Sequence, residues 1–266
     1  MITFEADNFN LEQIAISGQC FRMDRCSDSY KIIATDKMIT ARQEGCRISL
    51  DTTKKDFENF WKNYFDLEAD YGAYINAVDA NDKYLKAAVS RCPGLRILNQ
   101  DLWEMIVTFL ISQQNNIPRI KKCVNNICEK YGKKLDDVTY AFPEAEALAA
   151  LPEDALMACN LGYRSKYVVR TAREIASGSF DLDALKKCDY EEARSRLLSL
   201  YGIGVKVADC ICLFALHHIE AFPIDTHIKK VLAEHYADGF PFDRYDGFAG
   251  IMQQYIFYYD LNGAGK

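Results

Sequence analysis

Between Ser29 and Asp51 apolar and polar residues form three short runs, Tyr30-Lys31-Ile32-Ile33-Ala34, Met38-Ile39-Thr40-Ala41-Arg42 and Cys46-Arg47-Ile48-Ser49-Leu50, separated at Asp36 and at Glu44-Gly45. Strand-like runs bounded by turn residues predict an antiparallel meander. From about Lys54 the period lengthens. Phe57, Phe60, Trp61, Tyr64 and Phe65, and later Leu102, Met105, Ile106, Phe109 and Leu110, recur at three-to-four spacing, the signature of a buried helical face. Breakers at Cys92-Pro93-Gly94, Phe142-Pro143, Leu151-Pro152, Ser177-Gly178 and Phe222-Pro223 cut this region into helices of ordinary length. The pattern predicts an α+β chain in two lobes, an antiparallel sheet domain with flanking helices over 1–98 and a helical domain over 99–266, with no internal repeat.

A chain of 266 residues that is 49% hydrophobic is long enough for a sizeable core. Its first residues, Met1 to Asp7, lack the basic start and apolar run of a signal peptide, and no stretch approaches the roughly 18 apolar residues of a membrane span. An intracellular protein with no membrane association is expected. Ten cysteines are scattered without a secretory signal, which predicts reduced thiols, and no Cys-x-x-Cys pair occurs, so neither protein-bound zinc nor an iron–sulfur cluster nor another cofactor is expected. A net charge of -6 argues mildly against nucleic acid as a partner. Local basic groups (Arg119, Lys121 and Lys122; Arg164, Lys166 and Arg170; Lys229 and Lys230) offset that argument in part.

The most informative stretch reads helix (Tyr190 to Leu200), glycine turn (Tyr201-Gly202-Ile203-Gly204-Val205), helix (Lys206 to Leu213). Two glycines one residue apart permit positive backbone torsions and close approach of a ligand, and the second helix offers free N–H groups that suit a phosphate. Gly202, Gly204 and Val205 are therefore candidate phosphate contacts, although an ordinary helix–helix turn fits the same residues. Lys206 breaks a local rule, because a cation in the first helical turn opposes the helix dipole. If also desolvated, its amine would lose a proton more readily and could attack a carbon. Nineteen residues later, Phe222-Pro223-Ile224-Asp225-Thr226-His227-Ile228 opens another helix with Asp225 at the N-cap, a position that on its own requires no chemistry.

Together, the Leu-x-x-Leu-x-Gly-Ile-Gly-x-Lys-x-Ala-Asp and Pro-Ile-Asp-Thr-His runs resemble the helix-hairpin-helix, glycine-proline-aspartate (HhH-GPD) glycosylase superfamily. Lys206-Val207-Ala208-Asp209-Cys210-Ile211-Cys212-Leu213, Gly18-Gln19-Cys20-Phe21-Arg22, Gln114-Asn115-Asn116-Ile117-x-Arg119-Ile120 and Leu161-Gly162-Tyr163-Arg164 resemble its 8-oxoguanine DNA glycosylase family. The resemblance covers nearly the whole chain. It implies a TATA-binding-protein-like N-terminal sheet, a helical glycosylase domain, a monomer, and duplex DNA bearing 8-oxoguanine opposite cytosine as partner. Lys206 would attack the anomeric carbon of an extruded nucleotide and support β-elimination, with Asp225 stabilising the developing positive charge and Asp209 a weaker candidate. The resemblance assigns the carbonyl of Gly18 to the proton that oxidation adds to the purine's five-membered ring. It assigns Gln253, Phe257 and Cys210 to the base, Tyr163 to the wedge that fills the vacated stack, Arg119 and Arg164 to the orphaned cytosine, and His227 to a phosphate. At Gln114 the chain departs from the family's three consecutive asparagines, which weakens the opposite-base expectation for Gln114, Asn115 and Asn116.

Sister enzymes with an iron–sulfur cluster usually carry four cysteines downstream, yet none follows Cys212. An alkylated-base glycosylase of the same fold typically lacks the lysine, and a non-catalytic helix-hairpin-helix DNA-binding protein needs neither Lys206 nor its pairing with Asp225. A structural helical adaptor has only the acidic balance in its favour.

Overall fold

The computed structural model describes residues 1–262, so residues 263–266 of the expected helical domain lie outside the described residues. The three expected runs form strands β3 (Ser29–Ala34), β4 (Lys37–Glu44) and β5 (Arg47–Leu50). Two further strands flank them, β1 (Ile2–Glu5) and β2 (Met23–Cys26), to give an antiparallel sheet in the order β1-β5-β4-β3-β2. The register pairs Ile32 with Ile39 and Ala41 with Leu50, so Ile32, Ala34, Ile39, Ala41, Ile48 and Leu50 all fall in one buried layer. Helix Leu11–Ala15 and the aromatic run Phe57, Trp61, Tyr64 and Phe65 cover that layer. β1 and β2 are four-residue edge strands that the sequence reading did not identify, whereas the equally short β5 was marked by the Glu44-Gly45 turn before it.

The larger core belongs to the helices. In helix Leu102–Ser112 every residue from Leu102 to Ile111 is buried, as expected of a helix hydrophobic on all sides at the centre of its domain. Helices Ile117–Tyr131, Arg164–Ala176 and Val205–Phe214 pack around it. Packing crosses the expected boundary near residue 98: Tyr71, Leu85, Ala88, Val89 and Cys92 join the helical core while Leu98 stays with the sheet core, and helix Lys83–Arg91 packs against the C-terminal helix Ala249–Asn262. The expected breakers all fall between helices. All ten cysteines are unpaired, and among the described residues no helix is long and apolar enough to cross a membrane.

Buried polar groups lock the lobes together. The Gln19 amide donates to the Arg96 carbonyl (2.7 Å) and accepts from the Leu98 N–H (2.8 Å), while Gln100 donates to the Gln19 carbonyl (2.9 Å). Arg96 runs 4.4 Å from the Tyr71 ring and donates to the carbonyls of Asn8, Asp66 and Asp7. Arg22, just before β2, meets Glu104 at 3.5 Å, with both side chains buried. Burial, only partly countered by Arg22, pushes the Glu104 carboxyl up to about 7. The folded state therefore binds a proton that the unfolded state does not between about pH 4.5 and 7, and this group adds stability as pH falls through 7. Glu104→Gln should flatten that slope in thermal unfolding followed from pH 7.5 to 5. Glu104→Ala, which strands a buried guanidinium, should cost about 3–5 kcal/mol.

Candidate active site and DNA-contacting surface

A cleft of about 630 Å³ opens between the lobes, and Gly18, Gln114, Asn115, Asn116, Lys206, Asp225, His227 and Phe257 line it. Its inner recess is walled by Gly18, Lys206, Cys210, Asp225, Gln253 and Phe257, together with Phe109, Phe214, Pro223 and Gln254. Six residues far apart in sequence, assigned to catalysis or to the base, thus converge on one recess.

Local sequence accounts for each position. Gly204 is the N-cap of helix Val205–Phe214, so Lys206 leaves from the first turn. Its ammonium lies 5.6 Å from the Phe109 ring centroid, a cation–aromatic contact in a half-buried setting. Cys210, one turn on, lies on the same side of the helix. Burial raises its thiol, and Lys206 offsets that only in part, so the group remains a neutral SH against the recess. Asp225 caps helix Thr226–His235, one carboxylate oxygen accepting the Ile228 N–H at 2.9 Å. The cap therefore fixes a carboxylate at the mouth of the recess.

Gly18 lies past the end of helix Leu11–Ala15 with φ +78, and a Cβ there would stand 3.1 Å from the Phe257 ring. Phe257 itself packs edge-on against His227, with centroids 5.7 Å apart. His227 shares Asp260 with Lys230: its Nδ1 lies 2.7 Å from one carboxylate oxygen, and Lys230 lies 3.5 Å from the other. Asp260 was missed in the sequence, since a single acidic residue near a chain end carries no signal of its own. Asp209 sits elsewhere. It accepts from Arg194 (2.7 Å) and the Tyr190 hydroxyl (3.0 Å), tying the two hairpin helices together, and it does not line the recess.

Arg119, Tyr163, Arg164, Gly202, Gly204 and Val205 lie outside the cleft lining, and the loop Gln113–Asn116 connects several of them. Gln113 donates to the Gly202 carbonyl at 3.0 Å, and Arg164 donates to the carbonyls of both Gln113 and Gln114. Gln114 takes φ +47, Asn115 donates to the Ile111 carbonyl, and Asn116 caps helix Ile117–Tyr131. Arg119 and Gln114 are exposed, and Tyr163 is 45% exposed. Arg164, assigned through the resemblance to the orphaned cytosine, is buried here, and its donors are engaged by backbone carbonyls. Pairing also thins the basic groups, since Lys121 meets Asp24 and Arg170 meets Glu153. Arg119, Lys122, Lys166 and Lys229 have no carboxylate partner among the described residues.

The fold and this site place the chain among the helix-hairpin-helix base-excision proteins: residues 107–239 match the model of the HhH-GPD superfamily base excision DNA repair protein. Residues 1–106 match the N-terminal domain of 8-oxoguanine DNA glycosylase, and the chain belongs to the 8-oxoguanine DNA glycosylase family. A solved 8-oxoguanine glycosylase/lyase from Clostridium acetobutylicum, in complex with duplex DNA containing cytosine opposite 8-oxoguanine, is 35% identical with a TM-score of 0.91, and the match covers 97% of each chain. An N-glycosylase/DNA lyase of Saccharomyces cerevisiae is 35% identical over 158 residues, which is 54% of this chain and 42% of that protein. The chain thus spans well under two thirds of that curated relative. A 3-methyladenine DNA glycosylase from Archaeoglobus fulgidus, at 21% identity and a TM-score of 0.80, shares the fold.

The hairpin yields a direct test. Gly202 has φ +91, and a Cβ there would stand 2.6 Å from the Tyr167 ring. Gly202→Ala combines an unfavourable torsion with a clash and should cost about 1–3 kcal/mol in denaturant unfolding.

Proposed function

We propose that this protein is a bifunctional DNA glycosylase and AP lyase that extrudes 8-oxoguanine from duplex DNA, opposite cytosine, and excises it through an imine on Lys206. The observation that carries the reading is the meeting of Lys206 and Asp225 with Gly18, Gln253 and Phe257 around one recess. A base must leave the stack to enter it, at a cost of a few kcal/mol. Phe257 offers a face for stacking, the Gly18 carbonyl an acceptor for the extra ring proton of the oxidised base, and exposed Tyr163 a wedge for the gap. Two facing acceptors would disfavour undamaged guanine. The backbone N–H groups at Gly204 and Val205 suit a phosphate. Arg119 is free to approach the orphaned base, whereas Arg164 must first release the loop carbonyls.

In the chemical step the Lys206 amine, its proton passed to the departing base, bonds to the anomeric carbon as the bond to the base breaks, and the electron pair leaves with the base. The Asp225 carboxylate stabilises the cationic sugar. Ring opening gives the imine, which acidifies the 2′ proton, and loss of that proton expels the 3′ phosphate. Action as a monomer inside the cell belongs to this reading.

Single-turnover excision from an 8-oxoguanine:cytosine duplex tests the reading. Asp225→Asn keeps the cap, so unfolding free energy should stay within about 0.5 kcal/mol, while excision falls by about 10²–10³. Lys206→Gln should abolish nicking. Wild-type protein that binds the duplex but releases no 8-oxoguanine, or that releases an alkylated base instead, overturns it.

A further inference from the structure

Resting on the proposed function, we propose that Lys166 and Tyr201 grip a backbone phosphate of the duplex, a contact made before any base is extruded and blind to damage. Three tyrosines run edge to face from the candidate wedge to the hairpin. Tyr163 meets Tyr167 with ring centroids 5.6 Å apart, and Tyr167 meets Tyr201 at 5.2 Å. The Lys166 ammonium lies 5.7 Å from the Tyr167 centroid and 6.0 Å from that of Tyr201, so two rings share it. Gly202 completes the arrangement, because its missing Cβ leaves room for the Tyr167 ring. The cluster therefore ties the start of helix Arg164–Ala176 to the turn that opens helix Val205–Phe214.

Charge and exposure identify what this surface takes. Tyr163, Tyr201 and Val205 are exposed, so a strip of aromatic and apolar surface faces solvent. The neighbouring Glu153 carboxylate is taken by Arg170 (2.8 Å) and Arg173 (3.8 Å), and Lys166 has no carboxylate partner among the described residues. An ammonium already ordered by two rings gives up little further rotamer freedom on meeting an anion. The strip runs from the wedge candidate to the N–H groups of Gly204 and Val205, so the anion that reaches it in the proposed complex is a duplex phosphate. A phosphate contact carries no base information. The grip should strengthen binding to undamaged and damaged duplex alike, and so serve the search for the lesion rather than the choice of base.

Equilibrium binding of an undamaged and an 8-oxoguanine:cytosine duplex, followed from about 50 to about 200 mM salt, tests this. Lys166→Gln should lose affinity for both duplexes by the same factor, and its salt slope should fall by about 0.9, so that its deficit shrinks roughly threefold across that range. Lys166→Arg keeps the charge and should keep the wild-type slope. Tyr201→Ala should weaken both duplexes roughly two- to fivefold. Lys133, just beyond the end of helix Ile117–Tyr131 that is remote from the cleft, controls for net charge, and Lys133→Gln should leave the slope unchanged. The inference is overturned by wild-type affinity and slope in Lys166→Gln, by a Lys166→Arg as weak as Lys166→Gln, or by an equal slope change in Lys133→Gln. Wild-type binding by Tyr201→Ala, or a loss confined to the lesion duplex, overturns it as well. A wild type that binds both duplexes but releases no 8-oxoguanine overturns the proposed function and leaves the grip standing, whereas one that binds neither duplex overturns both.

Discussion

The clasp made by the Gln19 side chain holds the site together. Its amide bridges the Arg96 carbonyl and the Leu98 N–H, and its own carbonyl is held by Gln100, so the residue beside it, Gly18, is pinned against the helical domain. Gly18 forms one wall of the recess and Phe257 the opposing one, close enough that a methyl group would crowd the ring. All of these bonds are buried, where an unmade hydrogen bond is costly, so the two lobes have little freedom to part. The Arg22–Glu104 pair and the Arg96 guanidinium hold the same seam elsewhere.

Within that frame the two proposed reacting groups sit at helix starts. Lys206 follows Gly204 at the beginning of one helix and Asp225 caps another, so neither depends on a flexible loop for its position. A lysine there works against its own helix dipole, a local cost that a purely structural hairpin has no reason to keep. The Pro223 carbonyl, two residues before Asp225, also accepts from Gln253, so one segment places both the carboxylate and that amide.

What the sequence disclosed follows from how local each feature is. The three central strands, the helix breakers and the glycine hairpin each need only a few neighbouring residues to declare themselves. β1 and β2 lack the glycine turn that marks the equally short β5, and helix Lys83–Arg91 joins the second core through contacts with the C-terminal helix that no local pattern encodes. Gly18, Gln253 and Phe257 became candidates through family resemblance, because their meeting is wholly tertiary. Arg164 was legible as a cation but not as one buried under the Gln113 and Gln114 carbonyls.

The central claim is that Lys206 forms the covalent bond to the sugar. Borohydride added during turnover of an 8-oxoguanine:cytosine duplex, followed by proteolysis and mass mapping of the trapped adduct, addresses it directly. The account predicts a single DNA-linked peptide carrying the modification on Lys206. An adduct on another amine, or base release with no trapped adduct, would contradict it.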